Sequence, residues 1–310
     1  MTTGRVLWYD YRGNEDTAVP RKKKQRKRFV FVFWGSRKKK QKEMIAMQKQ
    51  NIQTDKKIQV TWYGTASLRI TAGGAGILID PFYPFPDSRV SVARDAYAGC
   101  SRILITHGHY DHIGSIPEIV CDGTVVYCTK APYRSLCRMG VRKENLRLIE
   151  AGAVFSAGAF RITAYRGAHI RLGVREGMKV LLGKRVRQNR KGVVRKILRF
   201  MSCREKKESL CYLAEICGKR ILIPGSLALA EDTVYPTDVD LMCIPYQGSD
   251  RLCGIAADIC RRIRPRAVLL THFDDTFPPF STEVDTSDFA EYLKGRAAVC
   301  QLPHGGTLEI

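Results

Sequence analysis

An α/β fold is what the sequence predicts, on three observations. Short apolar runs bounded by Gly, Pro or Asp recur from residue 58 onward, each of strand length. Stretches of helical spacing, such as 131–139 and 252–263, fall between them. Finally, two apolar runs in different halves of the chain, Ile103-Leu-Ile105 and Ala267-Val-Leu-Leu270, each end in a Thr-His pair. Strands alternating with helices and ending in chemically active residues are the pattern of a layered α/β domain.

Taken in order, Ile58-Gln-Val-Thr-Trp-Tyr63 alternates and reads as the first strand. Gly64-Thr-Ala-Ser67 turns into Leu68-Arg-Ile70, Gly73-Gly74 makes the next turn, and Gly76-Ile-Leu-Ile-Asp80 is a further strand. Residues 83–99, with Pro84, Pro86 and Gly99, form an irregular loop. There Phe82, Tyr83 and Phe85 either line a substrate entrance or pack the loop down. The strand 103–105 leads to a polar loop, and 113–120 reads as one short helix. Thr124–Cys128 is a strand and Ala131–Met139 a helix. Leu146–Ile149 and Phe160–Ala164 are strands around a turn region at Gly152–Gly158. Ser209–Ile216 and Arg220–Ile223 form a hairpin about Gly218 that leads into Pro224-Gly225-Ser226. Then come a strand at Asp240–Pro245, a helix at Leu252–Ile263, a strand at Ala267–Leu270, a helix at Phe289–Leu293 and a last strand near Thr307–Ile310.

The chemistry concentrates at Thr106-His107-Gly-His109-Tyr-Asp111-His112. Half of the six histidines of the chain fall in this loop. Neutral imidazole and carboxylate are the usual ligands of zinc and similar divalent ions. His107 and His109 lie two apart, so an extended segment points both the same way. Asp111 and His112 follow at the turn into 113–120. One loop can therefore serve two adjacent metal positions, and four such residues behind a core strand are costly to leave unpartnered.

The run His107-Gly-His109-Tyr-Asp111-His112 resembles the HxHxDH signature of the metallo-β-lactamase superfamily. The resemblance spans about residues 58–310 and implies a four-layer αββα sandwich. It implies a metal set of His107, His109 and His169 for one ion, and of Asp111, His112 and His272 for a second. His169 enters because the superfamily places a histidine just after a strand several tens of residues beyond the loop. Asp80 corresponds to a residue that is mainly structural in the family. The aspartate that bridges two metals in the family has its counterpart at Ser226, within Gly225-Ser226, so this bridge is missing. Asp274, Asp275, Glu231 or Asp232 are the carboxylates that could replace it. Trp62-Tyr-Gly-Thr-Ala-Ser67, Leu78-Ile-Asp-Pro81 and His272-Phe-Asp-Asp275 look similar to the stand-alone ascorbate-lactone-hydrolase-like group. His304, the sixth histidine, reads as structural or surface.

The formal net charge is +22, and it is unevenly spread. Residues 1–57 hold 17 Lys and Arg against 5 Asp and Glu, and residues 171–207 hold 14 against 2. The remainder holds 21 against 23, so a near-neutral body (58–310 without its basic insert 171–207) carries a basic, mobile N-terminal extension. Within the insert, Gly192–Met201 puts Val193, Val194, Ile197, Leu198 and Met201 on one helical stripe, with Arg195, Lys196 and Arg199 mostly off it. Such a helix suits a solvated surface, an anionic membrane or a cap over the site mouth. The basic extension, with its Phe29–Trp34 aromatics, suits solvent, nucleic acid or an anionic membrane. Its apolar run is too short to span a bilayer, and its place behind a basic block without a cleavage region argues against a secretory leader. Eleven cysteines without a C-x-x-C pair argue against a disulfide framework or a zinc ribbon and for reduced thiols in the cytoplasm.

Together these features predict a metal-dependent hydrolase. It would use a metal-activated water, with Asp111 orienting that water, on a small anionic ester, phosphodiester or lactone. The cofactor would be zinc, as one or two ions, or manganese. The alternative is a nucleic-acid-associated nuclease or binding protein with a degenerate metal centre.

Overall fold

The computed structural model describes residues 57–170, 186, 190–203, 207–276, 278 and 281–310. The basic extension, apart from Lys57, and residues 171–185, 187–189 and 204–206 of the insert 171–207 lie outside the described residues.

Strands β1 (Ile58–Gly64), β2 (Ser67–Ala72) and β3 (Ala75–Ile79) form an antiparallel meander. Strand β4 (Arg102–Leu104) then joins β3 in parallel, and two single helical turns follow, α1 (Tyr110–Ile113) and α2 (Ile116–Ile119). Strand β5 (Val125–Cys128), helix α3 (Lys130–Arg138) and strand β6 (Leu146–Leu148) continue the sheet in parallel. Strands β7 (Val154–Ala157) and β8 (Phe160–Arg166), helix α4 (Arg190–Ser202), and strands β9 (Leu210–Ile216) and β10 (Lys219–Pro224) come next. Strand β11 (Leu241–Pro245), helix α5 (Leu252–Ile263), strand β12 (Ala267–Thr271), helix α6 (Ser287–Leu293), strand β13 (Ala298–Cys300) and strand β14 (Thr307–Glu309) complete the chain.

These strands make two seven-stranded sheets. The first runs β14-β1-β2-β3-β4-β5-β6 and the second β13-β12-β11-β10-β9-β8-β7. Side-chain alternation along the strands explains the layering. Ile77, Ile79 and Leu104 face the second sheet, in one core with Ile162, Tyr212, Ile223 and Leu269. Their neighbours Leu78 and Ile103 face the other way, onto Ile113, Ile116 and Leu136 of α1, α2 and α3. On the far side, α5 and α6 bury Ile259, Ile263, Phe289 and Leu293 against the second sheet. The result is the expected αββα order. None of the eleven cysteines forms a disulfide, and among the described residues no helix is long and apolar enough to cross a membrane.

Three local expectations change. The segment 113–120 is not one helix. A single turn, α1, already holds Asp111 and His112, and Pro117 sits in a separate turn. The turn region 152–158 contains a strand, β7, paired to β8, and Ala298–Cys300 forms β13. The apolar stripe on α4 is split. Val193 is buried, but Val194 and Leu198 are 61% and 62% exposed, while Lys196 is only 8% exposed. Lys196 Nζ donates to both Asp87 oxygens, at 2.7 and 2.6 Å, and to the Pro278 carbonyl, and it lies 4.7 Å from the centre of the Phe85 ring. These partners come from other loops and satisfy the ammonium, so its burial is tolerated. Phe85 in turn stacks on Tyr110 at 5.8 Å, and Phe82 packs edge-on to both rings. Phe82 and Phe85 thus pack the loop down rather than line an open entrance.

Candidate metal centre

The site is built at the strand ends where the two sheets meet. Beyond β4 the chain runs through Ile105 and Thr106, and both sheets hold it there. Tyr212 donates its hydroxyl to the Ile105 carbonyl at 2.7 Å, and Leu210 N–H donates to the Thr106 carbonyl at 2.8 Å. Gly225 is obligatory beside it, because a Cβ there would lie 2.6 Å from the Thr106 Cβ. Asp80, fully buried just beyond β3 with φ of +44°, organises the loop. One oxygen accepts Thr106 N–H at 2.8 Å; the other accepts the Thr106 hydroxyl at 2.5 Å and His112 Nδ1–H at 2.7 Å.

Six residues converge into two triads, His107, His109 and His169, and Asp111, His112 and His272. Within each, the ligand-type atoms lie within 4.8 Å of one another. Hydrogen-bond partners fix the imidazole tautomers. The Thr106 hydroxyl gives its proton to Asp80, so it accepts from His107 Nδ1 at 3.1 Å. His169 Nδ1–H donates to the Ile170 carbonyl at 2.7 Å, and His272 Nδ1–H donates to Gln247 Oε1 at 3.1 Å. In His107, His112, His169 and His272 it is therefore Nε2 that faces the centre. His109 instead turns Nδ1 inward, 3.1 Å from His107 Nε2.

The two triads differ in charge. Burial, reinforced by the neighbouring imidazoles, pushes His107 well below the ordinary histidine range. Burial likewise brings His109 down to about 4. Both are neutral and free to bind a cation at neutral pH. In the second triad, burial would push the Asp111 carboxyl up, but His112 and a hydrogen bond from His272 outweigh it and hold it below the carboxylate range. Burial also opposes charge on His112, yet Asp80 and then Asp111 raise its pKa. Asp111 Oδ2 lies 3.1 Å from His272 Nε2 and 3.5 Å from His112 Nε2. His272 holds φ of +60°, a left-handed conformation that costs a non-glycine residue about 1–2 kcal/mol.

Ser226 is buried beside the first triad and accepts Ile170 N–H at 3.1 Å. None of the four proposed replacement carboxylates joins either triad. Asp274 accepts from Thr65 and His304, Asp275 from Ser281, and Asp232 from Arg166, while Glu231 is exposed. His304 stands outside the triads and stacks on Trp62 at 4.7 Å. Neither the Gln247 nor the His304 contact has a local signature, because their partners lie 25 and 30 residues away. Asp80 was visible as the end of Leu-Ile-Asp-Pro, though not its grip on His112.

The family model described as a beta-lactamase superfamily domain matches residues 59–272. The chain belongs to the beta-lactamase superfamily. Among relatives, a UPF0173 metal-dependent hydrolase of Chelativorans sp. (strain BNC1) is 29% identical over 252 residues, covering 80% of this chain and 98% of that protein. A second, from Methylobacterium nodulans, is 26% identical over 81% of this chain and 98% of its own length. Among solved structures, the metallo hydrolase Igni18 of Ignicoccus hospitalis superposes with a TM-score of 0.55 at 19% identity, over 82% of this chain and 98% of that one. The metallo-beta-lactamase fold protein YhfI of Bacillus subtilis gives 0.52 at 14% identity, over 82% and 99%. These likenesses establish the metallo-β-lactamase fold. Within this superfamily member, the two triads are the only His, Asp, Glu or Cys groupings of metal-binding geometry among the described residues.

Proposed function

We propose that this metal-dependent hydrolase of the metallo-β-lactamase fold acts on a small anionic ester, phosphodiester or lactone. His107, His109 and His169 would hold one ion, and Asp111, His112 and His272 a second. The observation that carries the reading is the pair of triads, in which the Nδ1 partners of His107, His112, His169 and His272 turn Nε2 toward the centre. Five imidazoles and one carboxylate suit zinc better than manganese, which favours oxygen donors. A bound ion would lower the pKa of a coordinated water to about 7 and polarise the scissile group.

The protein's own groups supply the rest. Asp111, kept ionised by His112 and His272, is placed to accept a hydrogen bond from an attacking water and so orient it. Asp80 fixes the direction of His112. Arg199, on the exposed side of α4, lies over the Tyr110 ring at 5.7 Å and brings positive charge next to the metal loop, which favours an anionic substrate.

Elemental analysis of the purified chain, after repletion with zinc or manganese, tests this together with H109A. Two ions per chain, falling on substitution, are expected. Well under one ion per chain in the unaltered protein overturns it. The other reading, a nucleic-acid-associated nuclease or binding protein, draws on the two basic segments. Salt-dependent nucleic-acid affinity with and without residues 1–57, measured beside hydrolysis, separates the two.

A further inference from the structure

Two motifs distant in sequence, Gly64-Thr65 and Phe273-Asp274, meet behind His272, and the last loop of the chain closes over them. His272 N–H donates to the Thr65 carbonyl at 2.8 Å, and Trp62 Nε1–H donates to the same oxygen at 2.8 Å. Thr65, itself at φ of +44°, donates its N–H to both Asp274 oxygens at 3.1 and 3.0 Å. His304 Nε2–H donates to Asp274 Oδ2 at 2.8 Å. Trp62 stacks on both Phe273 and His304, at 4.8 and 4.7 Å. Gly64, at φ of +113°, admits no side chain, since a Cβ would stand 2.9 Å from Asp274 Oδ2.

This is a closed cycle: His304 holds Asp274, Asp274 holds Thr65, and Thr65 holds the backbone of His272. A left-handed backbone on a non-glycine residue persists only where its surroundings over-determine it. The second triad also lacks the negative charge that a bridging carboxylate would place between two ions, because Ser226 stands there. What remains to favour a second ion is ligands fixed in advance.

We infer that Asp274 and His304 are positioning residues for His272, and that the second ion position draws its affinity from this clamp in place of a bridging carboxylate. The inference rests on the two-position reading above. Neither residue touches the metal-ligand atoms, so the effect passes through backbone geometry. Loss of such outer partners typically weakens metal binding 10–100-fold.

The test is zinc titration of the metal-free full chain against a chromophoric chelator, with thermal melts recorded before zinc is added. The variants are H304F, H304Q and D274N. Phenylalanine keeps the stack on Trp62 and loses the donor, whereas glutamine keeps a donor near the position of Nε2. H304F and D274N are expected to weaken the second ion about tenfold or more and to leave the first within about threefold. H304Q is expected to recover most of the loss. A second ion bound as tightly by H304F as by the unaltered chain overturns the inference, as does equal weakening of both ions. So does an unaltered chain that takes up a single ion, since the clamp then fails to secure the second. Uptake of no ion by the unaltered chain removes the metal reading itself, and the inference with it.

Discussion

The two triads are made from the same kinds of residue and held in opposite ways. His107 and His109 come from one loop pinned between the sheets, and His169 lies just beyond β8; crowding and burial keep the two loop imidazoles neutral. The second triad contains the only carboxylate, an imidazole raised in pKa by Asp80, and a histidine in a left-handed backbone. One position is ready for a cation because its two loop imidazoles are neutral. The other must release a proton and depends on supports 25 to 207 residues away in sequence, from Gln247 through Asp80 to Thr65.

The largest expected effects break one side of that contrast at a time. H169A should remove the first ion and H272A the second. Each should lower kcat by about 10²–10³-fold, the scale of losing a preorganised electrostatic group. Metal content and hydrolysis measured on the same samples check this; retention of both ions by H272A would sink the assignment. Next in size is D80A. It leaves Thr106 N–H and His112 Nδ1–H without their buried acceptor, so the metal-free chain should lose about 3–5 kcal/mol in urea unfolding. Binding of the second ion should weaken about 10–100-fold, more than that of the first.

Acidification sharpens the comparison further. A divalent ion needs unprotonated imidazole. The pKa of His112 is raised, so below it the second ion must displace a proton, and its affinity falls by up to about tenfold per pH unit. His109 stays neutral down to about pH 4 and His107 lies well below its ordinary value, so the first ion should be far less sensitive. Chelator competition at several pH values between roughly 5 and 8 reads the two slopes, and equal slopes would refute the charge difference. The smallest expected change is a gain. S226D restores a carboxylate at the family's bridging position and can still accept Ile170 N–H. It should tighten the second ion about tenfold, as added ligand charge does in other cation sites.

Much of this was legible before any coordinates. Ile103–His107 and Val268–His272 announce themselves because a buried strand and a scarce residue type meet at one point. The two-sheet order and His169 both came from the family resemblance, while strand spacing alone gave the alternation of strands and helices. What escaped was decided by partners from elsewhere in the chain. Helical periodicity puts Lys196 on the polar side of α4, and only Asp87, Phe85 and Pro278 make its burial tolerable. Local pattern likewise joins 113–120 into one helix, whereas the metal loop claims the first turn for Asp111 and His112. The link between Asp274 and His304 has no local signature at all.

The pairing of β14 with β1, Val60 opposite Leu308, brings His304 onto Trp62. It also gives the metal centre a birth order. On the ribosome, every ligand of the first triad has been made once residue 169 is added. The second waits for His272, 103 residues later, and its clamp for His304. At about 5–20 residues per second the interval is on the order of ten seconds. For that time a nascent chain holds all three residues of the first triad but only two of the second, and the residues that pin the metal loop, Leu210, Tyr212 and Gly225, are made within the same interval.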